Sequence, residues 1–158
     1  MHKYIIKIRS QILVYLTHNM ALPFLKFVRR PLKFPYSIET LMNMEDGSLG
    51  NDLHIFLKEK ELDLLPYYAK HDIKHILFEY DTTDEGEVCL QCFMLGNKHI
   101  SFPVVATVLY GFITMPEYWS KFIQAYKRGA KTISLANWQW FNLITEQTII
   151  LQKKLHQK

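Results

Sequence analysis

Cysteine is nearly missing from this chain, with two among 158 residues, too few for the disulfide framework of a small secreted scaffold. Glycine and proline are also few, six of each, which excludes collagen-like and low-complexity classes. Long apolar runs are also lacking. The longest charge-free stretch, residues 99–116, is interrupted by Ser101, Pro103 and Gly111, so its apolar heart is too short to span a bilayer comfortably and reads as a buried helix. A secretory signal is not expected, because the apolar stretch at residues 11–16 is short and no small-residue cleavage site follows it. An acid-free amphipathic start is also what a short transit peptide looks like.

What remains is an ordinary globular composition, 49% hydrophobic and 22% charged, and at this length one core should hide roughly 70% of the unfolded chain's surface. The charge is unevenly placed. Lys3, Lys7, Arg9, Lys26, Arg29, Arg30 and Lys33 precede the first acid, Glu39, while the rest of the chain carries 12 basic and 15 acidic residues. Ile5, Ile8, Ile12, Tyr15 and Leu16 recur at helical spacing within that basic region. Two readings stand side by side: a basic amphipathic helix lying on an anionic membrane, or a first helix packed on the core with a solvated basic edge. Nucleic acid is not an expected partner, since no base-reading motif accompanies the charge.

Apolar residues recur three and four apart almost throughout, and no long alternation argues for a sheet. The pattern predicts an all-α protein, a single irregular helical bundle, with a basic N-terminal helical region at residues 1–38 and a helical domain at residues 39–158. Ser37 should cap a short helix holding Leu41 and Met42, and a second helix should hold Leu53, Phe56 and Leu57. Pro66 fits the first turn of a helix continuing through His71, His75 and Phe78. Asp84 with Glu87 three residues on resembles an N-terminal capping arrangement. A further helix should end at Gly129, after Lys127 and Arg128, and a long final helix should run from about Leu135 to Leu155.

The sharpest constellation is His71, Asp72 and His75, followed after eleven residues by Glu87. Four apart on a helix, the two imidazoles can aim at one point. Asp72 lies beside the first His, and the loop of residues 80–86 is long enough to return Glu87 toward them. Two neutral nitrogens with one or two carboxylates suit one divalent ion, with zinc, iron, cobalt and manganese all compatible. The alternative is that His71 and His75 are partly exposed helix residues, with Glu87 merely satisfying the amides that open its helix. Among metal chemistries, a zincin peptidase wants Glu where Asp72 stands. An HD-type phosphohydrolase needs a distal Asp, and none follows Asp84. A di-iron carboxylate bundle wants two Glu-x-x-His motifs. Cys89 and Cys92 form a CxxC inside an apolar helix, away from the helix start where a thiolate is favoured, and read as core.

Taken together, Gly47-Ser48-Leu49-Gly50, His71-Asp72-x-x-His75, Gly86-Glu87, Tyr126-x-x-Gly129, and Leu135 before Trp138 and Trp140 resemble the coenzyme Q (ubiquinone) biosynthesis family known as Coq-four, over about residues 40–156. Two positions depart from that family's pattern: Tyr67, Tyr68, Ala69 and Lys70 stand where an Arg usually precedes the His-Asp pair, and Gln139 replaces an acid after Trp138. The resemblance implies an all-helical protein whose His71, Asp72, His75 and Glu87 hold a divalent metal. It implies oxidative decarboxylation at ring carbon one of a polyprenylated quinone precursor, with Asp72 as candidate base, or else a lipid carrier or scaffold for other quinone-biosynthesis enzymes. The partners to expect are that precursor, an anionic membrane surface, other quinone-biosynthesis proteins and a second copy of the chain as a homodimer. The matching location is the cytoplasmic face of a bacterial inner membrane or the matrix side of the mitochondrial inner membrane.

Overall fold

The computed structural model describes Gln11 and residues 32–155. The basic helix expected over residues 1–38 lies, up to Pro31, largely outside the described residues. Among the described residues there are seven α-helices and no strand beyond a lone bridge between Ser48 and Gln147, so the all-α expectation holds. The chain divides into two compact units, one built from Leu32–Tyr80 with the chain from Thr132 onward, the other containing Asp81–Lys131.

In the first unit, α1 (Ile38–Met42) starts at Ser37, whose side chain accepts from the Thr40 amide, as its residue type predicts. Helix α2 (Leu49–Glu59) is capped by Ser48 and buries Leu49, Leu53 and Leu57 on one face. Each of those side chains contributes about 1.5–3 kcal/mol through removal from water. Helix α3 (Ala69–Phe78) buries Ile73, His75, Leu77 and Phe78. It begins later than Pro66 suggests, because residues 66–68 form a turn in which the Tyr68 amide donates to the Leu65 carbonyl at 2.8 Å.

The expected long final helix is replaced by a 3-10 turn, Trp140–Leu143, and a short α7 (Thr148–Leu155). The cause is competition for backbone partners. The start of α2 has amides with no acceptor in its own helix, and the Leu49 and Gly50 amides take the carbonyls of Glu146 and Ile144 at 2.9 and 2.8 Å. The Thr148 amide returns a bond to the Gly47 carbonyl at 2.9 Å, so residues 144–148 serve α2 rather than continue a helix.

In the second unit, α4 (Asp84–Gly96) packs most extensively against α6 (Trp119–Lys131) and also against α5 (Phe102–Thr114). Gly129 does not end α6, which runs on to Lys131. A Cβ at Gly129 would collide with the Phe93 carbonyl, and one at Gly96 with the Tyr126 carbonyl, so this pair of glycines lets two helix backbones touch. Helix α5 is buried on one face only, through Val104, Thr107, Val108 and Gly111. Its outer face shows Phe102, Val105, Leu109 and Ile113, the last 79% exposed, which corrects the expectation of a buried helix. No described helix is long and apolar enough to cross a membrane.

Candidate metal centre

Helix α3 places His71 and His75 one turn apart, and their Nε2 atoms face each other at 3.0 Å. The rings meet edge to face, with centroids 4.7 Å apart and planes at 80°. His75 is the more enclosed, at 2% exposure, and Phe56 of α2 stacks on it with centroids 6.2 Å apart. Its Nδ1 lies 2.8 Å from the Tyr80 carbonyl. A carbonyl only accepts, so Nδ1 is the protonated nitrogen and Nε2 carries the lone pair when the ring is neutral.

Glu87 sits in the first turn of α4, whose start differs from the sequence expectation. The N-cap is Thr83, not Asp84, and its hydroxyl accepts from the Gly86 amide at 3.2 Å. Glu87 is therefore one residue past the position from which a capping-box side chain reaches back to the cap amide. Gly86 is required because a Cβ there would run into the Asp81 carbonyl; the 81–83 loop folds directly over the helix start.

His71 and His75 offer two facing nitrogens from one helix that could hold a metal ion, and Glu87, the third residue of the expected set, stands in the other unit at the start of α4. The spacing fits one. Two imidazole nitrogens sharing an ion at bonds of about 2.1 Å and an angle of about 90° stand about 3.0 Å apart, and two nitrogens with a carboxylate suit a divalent transition ion. Asp72 is not among the residues whose ligand atoms converge with this pair. Its negative charge acts on Tyr68, whose phenol is pushed up to about 12 by burial first and by Asp72 second.

Two lysines of α3 also converge. Lys70 and Lys74 lie over the Trp140 ring at 5.4 and 5.7 Å from its centroid. Burial, reinforced by the Lys70 charge, lowers the Lys74 ammonium to about 7. Cys89 and Cys92 are buried in α4, and burial above all raises their thiols to about 11 and 12, in line with the reading as core.

The facing of His71 and His75 on one helix was legible in the sequence, but Phe56, the Tyr80 carbonyl and the lysine pair on Trp140 were not. A backbone carbonyl has no residue-type signature, and an aromatic on a separate helix has no spacing to betray it.

No family model and no curated protein matches this chain. Among solved structures, it is similar to a crystal structure from Nostoc punctiforme PCC 73102 of a protein named for ubiquinone biosynthesis, with a TM-score of 0.67 and 21% identity over 94% of this chain and 81% of that one. At that identity the likeness shows a shared fold.

Proposed function

We propose that this chain acts in ubiquinone biosynthesis, as a metal-dependent protein that processes a polyprenylated quinone precursor at ring carbon one by oxidative decarboxylation. The observation that carries this reading is the facing of the His71 and His75 Nε2 atoms at 3.0 Å, on a fold shared with a protein named for that pathway. His71 and His75, with Glu87, would hold the ion, which would supply Lewis-acid stabilisation of charge developing on ring oxygens. Phe56 stacks on one face of His75. Asp72, next to His71 on α3, is the proposed base, and the oxidant comes from outside the chain.

A second reading is a lipid carrier or scaffold for other quinone-biosynthesis enzymes, favoured by the exposed apolar face of α5 at Phe102, Val105, Leu109 and Ile113. Both readings place the protein peripherally on an anionic membrane, with the basic residues before Glu39 contributing. Complementation of a quinone-deficient strain separates them. Rescue by wild type and not by a folded Glu87→Ala variant is expected of the enzyme; equal rescue by both overturns it in favour of the carrier.

A further inference from the structure

The end of α3 is built around His75 in an unusual way. The helix stops at Phe78, and its C-cap, Glu79, takes the left-handed conformation at φ 58° and ψ 40°. Glycine or asparagine is the ordinary occupant of such a position, because a Cβ there crowds the following carbonyl. The Glu79 and Tyr80 amides both donate to the His75 carbonyl, the second at 3.2 Å. The turn then brings the Tyr80 carbonyl to 2.8 Å from His75 Nδ1. One residue is thus gripped twice by the same two-residue turn, through its main chain and through its ring.

We propose that the left-handed Glu79 turn is a positioning element: it aims the Tyr80 carbonyl at His75 and so locks that imidazole as the Nδ1–H tautomer, with Nε2 turned toward His71 and its lone pair presented to a divalent cation. The inference rests on the metal-centre reading for its purpose, but the lock itself is a property of the metal-free chain. A neutral histidine in water favours the opposite tautomer modestly and rotates about its side-chain bonds. Here the ring has one acceptor on its Nδ1 edge, a stacked Phe56 on its face, and a burial of 98% of its surface implied by its 2% exposure. Partners of this kind, one shell out from a metal ligand, commonly change metal affinity by about 10- to 100-fold when lost.

The full chain, metal-free and labelled with nitrogen-15, is read first by long-range proton–nitrogen correlation of the histidine rings at a pH where His75 is neutral. An Nδ1–H signature for His75 is expected; an Nε2–H signature overturns the proposal with no variant needed. Two variants then test the turn. Glu79→Gly suits the left-handed conformation and should keep both the tautomer and the affinity for Zn2+, measured by competition with a chromophoric chelator. Glu79→Val opposes that conformation, and should give a mixed tautomer and Zn2+ binding weaker by about 10- to 100-fold in protein whose circular dichroism remains helical. A Glu79→Val protein that keeps the Nδ1–H tautomer and full Zn2+ affinity overturns the role of the turn. If wild type shows the Nδ1–H tautomer and binds no Zn2+, the metal-centre reading fails while the tautomer lock stands, so the two failures are distinguishable.

Discussion

The Nε2 atoms of His71 and His75 stand 3.0 Å apart on one face of α3, with the Tyr80 carbonyl taking the far nitrogen of His75. Without an ion, only one of the two facing nitrogens can carry a proton, so the pair is matched by a single N–H donor from His71. With an ion, both lone pairs can point the same way. Protein purified without added metal should therefore hold about one divalent ion per chain, and His71→Ala with His75→Ala should abolish it. Elemental analysis checks this, and full occupancy in the double variant would sink the assignment.

The two candidate caps of α4 give opposite expectations. Thr83→Ala removes the hydroxyl that accepts from the Gly86 amide and should cost about 1 kcal/mol in urea unfolding. Asp84→Ala, at the first helical position, should cost less, through loss of a favourable charge at the helix start alone. A larger loss for Asp84→Ala would restore the cap that the sequence suggested.

That difference of one residue illustrates what the sequence carries and what it does not. Local chemistry was legible: Ser37 as a cap, the histidine pair at helical spacing, and the apolar faces of α2 and α3 all follow from side chains within a few positions of one another. The long helix expected up to Leu155 failed because its interruption is dictated from far along the chain, by the Leu49 and Gly50 amides taking carbonyls at residues 146 and 144. Gly129 was misread for a related reason. A glycine that ends a helix and one that admits another backbone look the same in a single sequence, and only the Phe93 carbonyl against it decides.

Gly129→Ala should accordingly be far worse than an ordinary helical Gly-to-Ala change, which gains up to about 1 kcal/mol from propensity alone. The added methyl would meet the Phe93 backbone, which cannot move without displacing α4. A net loss of about 1–3 kcal/mol is expected from overpacking, read as a lower urea midpoint with unchanged slope. Any stabilisation by Gly129→Ala would show that the two backbones are not in contact.

The thiols of Cys89 and Cys92, raised by burial to about 11 and 12 from 9.0, should be protonated and unreactive in the native protein. Alkylation at pH 8 is expected to be slow until denaturant is added. The linked pH effect has a definite sign. Between 9 and these raised values the folded chain holds protons that the unfolded chain releases, so this contribution to stability is complete below pH 9 and is lost as pH rises toward 11 to 12. Replacing both cysteines by Ala should flatten that alkaline decline, and an unchanged decline would assign it to other groups.

Membrane contact has two separable sources, and salt distinguishes them. Attraction by the cations at Lys3, Lys7, Arg9, Lys26, Arg29, Arg30 and Lys33 adds about 1 kcal/mol for each one near an anionic surface and fades over a Debye length of about 8 Å at physiological ionic strength. Apolar insertion of α5 does not. Changing the seven cations to Gln should abolish the salt-sensitive part of co-sedimentation with anionic vesicles, while Leu109→Ser with Ile113→Ser, both on the exposed face of α5, should remove the part that survives high salt. Each variant is first shown to be folded. If the Gln variant pellets as wild type does across the salt series, the basic residues do not carry membrane contact, and binding must be carried by α5. If the Ser variant does so, the exposed face of α5 serves something other than lipid.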